Sequence, residues 1–145
     1  MQIELLHMLA GAQQARGLTV IIDVFRAFTL ECFAFACGAK RIYPVYDIDT
    51  ARQIKAAHPE YLLVGERHGD IIPGFDLGNS PFFLSQRDLR GKTLVHSTSN
   101  GTRGIMAALS QAEVILLGAL VNARATAEYI RRRNPDHLSL CCMGF

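Results

Sequence analysis

The chain has 145 residues, of which half are hydrophobic and 19% are charged. That is long enough to bury a core and too apolar for an intrinsically disordered segment. A formal net charge of +2 without a clustered basic face argues against nucleic acid as a partner, and no apolar run reaches the roughly 18 residues of a membrane span.

Residues 1–7 have no basic start and carry Glu4 inside an apolar run, a poor pattern for a signal peptide. The chain is therefore expected in the cytoplasm, with its four cysteines reduced and used as small core residues. Residues 3–7 predict an edge strand. Residues 18–22 are β-branched and continuously apolar, as in a strand covered on both faces. Residues 27–37 are apolar nearly all round and stop at Gly38, which predicts a buried helix with a left-handed end. A strand follows at 41–45, then a helix capped by Asp49 or Thr50 that runs to His58 ahead of Pro59. A strand at 61–64 leads into residues 66–88, rich in Gly, Pro, Asp and Asn. So long an irregular segment, and one this apolar, points to function rather than to a linker.

Further strands are predicted at 93–96, 114–117 and 137–142, with helices over 102–109 and from Asn122 to Arg133. Arg131, Arg132 and Arg133 fall in the last turn of that helix, where cations complement its dipole. Strands alternating with helices predict an α/β fold over residues 1–145: one domain, three-layer α/β/α, with a largely parallel or mixed sheet. The final strand has no helix after it. The sequence is thus expected to be the N-terminal part of a longer protein, its C-terminal portion missing. A homodimer is the other way to cover that strand and the apolar helix.

Ligands of open α/β sheets bind beyond the carboxyl ends of the strands, and four such loops carry polar residues. Asp23 and Arg26 bring a carboxylate and a guanidinium to one helix start. The carboxylate suits a hard divalent cation and the guanidinium a phosphate or sulfonate, although an ion pair steadying the helix gives the same pattern. Phe25 stands where haloacid-dehalogenase phosphatases place a second Asp, which disfavours that class. Glu66 and Arg67 follow another strand, either as functional groups or as a solvated charged turn. Asp76, Asn79 and Ser80 lie in a Gly-Phe-Asp-Leu-Gly-Asn-Ser-Pro string, able to supply oxygen ligands or donors, or simply to cap a short helix that begins at Pro81. Thr98, Ser99, Asn100, Gly101 and Thr102 combine hydroxyls, an amide and the free N–H groups of a helix start, a ready anion site to which Arg103 can add charge. The GxxxxGK[ST] spacing of a P-loop and the GxSxG of serine hydrolases are both absent.

Taken in order, Asp23-Val24-Phe25-Arg26-Ala27, Gly65-Glu66-Arg67, Gly74-Phe75-Asp76-Leu77-Gly78-Asn79-Ser80-Pro81 and Thr98-Ser99-Asn100-Gly101-Thr102 resemble the 2-phosphosulfolactate phosphatase family, and Gly118 with Asn122-Ala123 resembles its next segment. Phe25 and Phe28 replace the more usual Leu and Thr, and the acidic Glu-Asp motif that follows the last strand in the family is not in this sequence. The resemblance implies a Mg²⁺-dependent phosphatase acting on 2-phosphosulfolactate or a related small phosphorylated acid, a step of coenzyme M biosynthesis in methanogens. On that footing Asp23, Glu66 and Asp76 are expected to hold Mg²⁺. Arg26 and Arg67 are expected to clamp the substrate, with Asp23 also at the reacting centre. Asn79, Ser80, Thr98, Ser99, Asn100, Gly101 and Thr102 are expected to bind the phosphate. The alternative is a non-catalytic module that binds small anions without a complete metal site.

Overall fold

The computed structural model describes residues 1–144. The chain runs β1 (Gln2–His7), α1 (Met8–Ala12), β2 (Gly17–Ile22), α2 (Ala27–Ala36), β3 (Arg41–Pro44), α3 (Ile48–Ala57), β4 (Leu62–Arg67) and β5 (Asp70–Ile71). It continues through α4 (Pro81–Ser85), β6 (Thr93–Ser97), α5 (Gly101–Ala108), β7 (Ala112–Gly118), a 3₁₀ turn (Leu120–Asn122), α6 (Ala123–Arg133) and β8 (His137–Cys142).

The α/β class is as expected, but the strands form two four-stranded sheets instead of one. The first, ordered β1-β8-β2-β7, is entirely parallel, with β1 at its edge. The second, ordered β3-β6-β4-β5, is parallel except for the short antiparallel β5. Each sheet is covered on both faces. Ile21 and Cys141 pack with residues of α2 and α5, while Val20 and Leu138 on the other face pack with Ile130 of α6. In the second sheet Val64 and Leu94 pack with α2 and α4, and Leu63 and Val95 pack with Ala51 of α3.

The all-round apolar character of α2 matches its place between the two sheets. Phe28 belongs to the core of the first sheet, whereas Leu30 and Ala34 belong to the core of the second. Two positions apart on a helix is roughly 200° of rotation, so α2 serves both cores from opposite sides. A helix with a single apolar stripe serves one.

Local details differ from the sequence reading for identifiable reasons. Helix α3 is capped by Asp47 rather than by Asp49 or Thr50, with the Thr50 N–H donating to its carboxylate at 2.6 Å. Asn122 precedes α6, yet its side chain turns back, accepting from Ala119 N–H at 2.8 Å and donating to the Leu117 carbonyl at 2.7 Å. The irregular 66–88 segment folds over the second sheet and buries Ile72, Phe75, Leu77 and Leu84. Arg131, Arg132 and Arg133 do occupy the exposed last turn of α6, which ends at the left-handed Asn134. The four cysteines are free thiols, and burial pushes Cys141 up to about 11. Among the described residues no helix is long and apolar enough to cross a membrane.

Candidate active site

Strand alternation decides which polar residues meet. Asp23 follows Ile21 by two residues, and Glu66 follows Val64 by two, so both carboxylates continue the sheet faces that pack on α2. They line one cavity of about 450 Å³, together with Arg26, Asn79, Ser99 and Arg103. The cavity thus lies where the carboxyl ends of strands from both sheets approach the N-terminus of α2.

Asp23 is nearly buried. Its Oδ1 accepts the Ala27 N–H of α2 at 3.3 Å. Gly101 passes so close that a Cβ there would lie 2.8 Å from Asp23 Oδ2, which makes glycine the residue that fits. Burial pushes the Asp23 carboxyl above its ordinary range. The Ala27 and Gly101 N–H groups and the His96 charge oppose that rise without cancelling it, and the Glu66 charge reinforces it.

Glu66 is anchored more firmly. Its Oε1 accepts the Ser99 N–H at 2.7 Å, and its Oε2 accepts the Gly69 N–H at 2.8 Å and the Ser99 hydroxyl at 3.2 Å. Burial raises this carboxyl too, but the Ser99 and Gly69 N–H groups, the Ser99 hydroxyl and the Arg67 charge together bring it below the usual range. One cavity therefore holds two carboxyls shifted in opposite directions.

The other sequence candidates divide by position. Arg26, Asn79, Thr98, Ser99 and Asn100 line the cavity, and so does Arg103. Gly101 forms the close approach to Asp23 behind it. Thr98 and Thr102 are buried and close on each other: each backbone N–H donates to the other's Oγ1, at 3.0 and 3.2 Å. Their hydroxyls thereby fix the loop's shape. The Ser99 N–H, one of the expected phosphate donors, is engaged with Glu66.

Besides Gly101 and Thr102, which sit behind the wall, three candidates are not brought to the cavity. Arg67 alternates to the opposite strand face, donating to Ser97 Oγ at 2.9 Å, to the Glu66 carbonyl at 2.7 Å and to the Tyr46 carbonyl. Asp76 sits at the start of β4, where Oδ2 accepts the Leu63 N–H at 2.7 Å and faces Lys55 at 3.4 Å. Ser80 precedes α4 with no capping side-chain bond, while Pro81 takes the helix's first turn.

Neither Glu31 nor His96 is among the site candidates the sequence offers. His96 Nδ1 lies 2.7 Å from Glu31 Oε1, and Nε2 lies 3.2 Å from Asn79 Oδ1. A carboxylate inside an otherwise apolar helix was the available signal for Glu31, since such a group is rarely buried without a partner.

Carboxylates, guanidiniums, an amide and hydroxyls thus gather at the strand ends of an α/β scaffold, the place where open α/β sheets commonly hold their ligands. Residues 5–145 match the family model described as 2-phosphosulpholactate phosphatase, and the chain belongs to that family. It is 45% identical over 129 residues to a probable 2-phosphosulfolactate phosphatase of Caldicellulosiruptor saccharolyticus, covering 86% of this chain and 53% of that protein. A relative of the same name from Carboxydothermus hydrogenoformans is 45% identical over 117 residues, covering 81% of this chain and 48% of that protein. One from Bacillus subtilis is 37% identical over 126 residues, covering 87% and 53%. The chain spans about half the length of the curated relatives it matches.

Proposed function

We propose that this chain carries the substrate-binding part of a Mg²⁺-dependent phosphatase acting on 2-phosphosulfolactate or a closely similar phosphorylated acid. The observation that supports it most is the convergence of Asp23 and Glu66 with Arg26 and Arg103 on one cavity. A multiply charged acid needs cationic side chains for its anionic groups, and a phosphoryl transfer needs its developing charge neutralised.

The donor set fits magnesium. Mg²⁺ prefers oxygen ligands and is typically held by one or two carboxylates plus substrate phosphate, keeping several waters. Asp23 and Glu66 supply two carboxylates, and the Glu66 charge already contributes to the raised Asp23. A dication beside them would relieve that repulsion. Among the described residues there is no group of three or more His, Cys, Asp or Glu placed to hold a metal ion. Asp23 and Glu66 would hold the ion, which when bound would supply positive charge to offset that of the phosphoryl group. The protein's own share is orientation: Arg26 and Arg103 hold the anionic ends of the acid, and Glu66, pinned by Ser99 and Gly69, keeps the loop after β6 in place.

The test is phosphate release from 2-phosphosulfolactate by this chain and by a full-length relative, with Mg²⁺ and with EDTA. Release should require Mg²⁺, and Arg26→Ala should lower it about 100-fold, the scale for losing one charge-stabilising donor. Undiminished release by Asp23→Ala, or with EDTA, overturns the reading. Phosphate binding by this chain without turnover in any metal points instead to the anion-binding module.

A further inference from the structure

Three side chains form a buried line behind the cavity wall: Glu31 on α2, His96 on β6 and Asn79 just before α4. The His96 side chain is fully buried and that of Glu31 is 5% exposed. Asn79, itself buried, reaches the cavity. An ionised carboxylate only accepts hydrogen bonds, so with Glu31 ionised the His96 Nδ1 at 2.7 Å from it carries a proton. The Asn79 carbonyl oxygen also only accepts, so Nε2 at 3.2 Å carries one too. The ring is then an imidazolium held against an ionised glutamate. A carboxylate buried this deeply is costly without a counter-charge, which favours the doubly protonated ring.

The consequence falls on Asn79. With Oδ1 committed to His96, its Nδ2 has no hydrogen-bond partner among the described residues and is the part left to meet a ligand. A neutral ring protonated only at Nδ1 reverses the arrangement. Its Nε2 lone pair draws the amide N–H₂ inward and turns the carbonyl oxygen toward the cavity. One buried charge pair thus decides whether this wall offers a donor, suited to anionic oxygen, or an acceptor, suited to a cation.

We propose that Glu31 and His96 are positioning residues that hold Asn79 with its amide N–H₂ toward the cavity as a donor to an anionic oxygen of the ligand. This rests on the anion-binding reading of that cavity. The experiment uses the ¹⁵N-labelled chain and inorganic phosphate. Long-range ¹H–¹⁵N spectra should show both His96 ring nitrogens protonated, and Glu31→Gln should leave one of them bare. Phosphate affinity, read by calorimetry, should fall about tenfold in Glu31→Gln and in Asn79→Ala, the scale of one bond to a charged group. In the double variant the fall should be no larger than in Asn79→Ala alone. Asn79→Asp, which needs no change in the buried pair, should weaken binding more than Asn79→Ala by placing an acceptor where the donor stood. A bare ring nitrogen in the unmodified chain, multiplied losses in the double variant, or equal effects of Asp and Ala at position 79 overturn the proposal. Absence of phosphate binding by the unmodified chain overturns the anion-site reading itself, and the ring spectrum reports separately on the buried pair.

Discussion

Replacing Glu66 by Gln tests how far this carboxylate organises the loop after β6. The wild-type side chain accepts three hydrogen bonds, from the Ser99 N–H, the Gly69 N–H and the Ser99 hydroxyl. Glutamine keeps one carbonyl oxygen and puts an N–H₂ at the other position, where it faces a backbone N–H that can only donate. The hydroxyl can rotate to accept, so the net loss is one charge-assisted bond, about 2 kcal/mol. For a chain of this length that is a fall in melting temperature of about 4–8 °C.

The sign with pH follows from the Glu66 carboxyl lying below its ordinary range in the folded state. Such a group adds stability above the ordinary carboxylate pKa of about 4.3, and that contribution is lost as pH falls through the depressed folded value. The gap between wild type and Glu66→Gln should be full at neutral pH and should shrink with acidification. Urea unfolding followed by circular dichroism in metal-free buffer, at neutral pH and through the carboxylate range, measures it. A gap below about 0.5 kcal/mol at neutral pH, within the spread of ordinary surface substitutions, or one that does not change with acid, refutes this role.

Arg67→Ala should lower stability by about 1–2 kcal/mol while leaving phosphate affinity nearly unchanged, because its guanidinium ties β4 to Ser97 and Tyr46 on the face away from the cavity. A large loss of affinity at unchanged stability would return it to the site. Gly101→Ala brings a methyl to 2.8 Å from Asp23 Oδ2 and 3.1 Å from the Phe28 ring, so both stability and phosphate release should fall. Adding Asp23→Ala should restore part of the stability and none of the activity; purely additive losses in unfolding midpoints would sink that coupling. Gly65→Ala should be the most damaging, about 3 kcal/mol, since its Cβ would stand 2.0 Å from the Ser97 carbonyl of the neighbouring strand. Thermal melting at the wild-type temperature would contradict it.

Strand and helix positions were legible because continuous β-branched runs and capped amphipathic stretches are local signals. Asp23, Arg26, Asn79, Thr98, Ser99 and Asn100 were legible as neighbours of one cavity because strand ends and helix starts are where such folds place ligands. The split into two sheets was not, since pairing depends on contacts between distant strands that no local pattern specifies. Arg67 shows a finer limit. It adjoins Glu66 in sequence, yet successive residues of a strand face opposite ways, so only one of the pair can enter the cavity. Asp76 lies away from the cavity for another reason: the 66–88 segment returns along β4, where its carboxylate accepts the Leu63 N–H.

The helix that hid the second sheet also ties the site to the core. Helix α2 presents the Ala27 N–H to Asp23, packs Phe28 near Gly101, sends Leu30 into the second core and sets Glu31 against His96. Asp23 comes from one sheet and Glu66 from the other, so their separation is governed by how α2 seats between the two cores. Close-packed interiors transmit such displacements rather than absorbing them. Substitutions at Phe28 or Leu30 therefore belong with site residues in their effect, although neither touches the cavity. The apolar composition of residues 27–37, read at first as a sign of burial, is a condition for bringing two carboxylates to a single cavity.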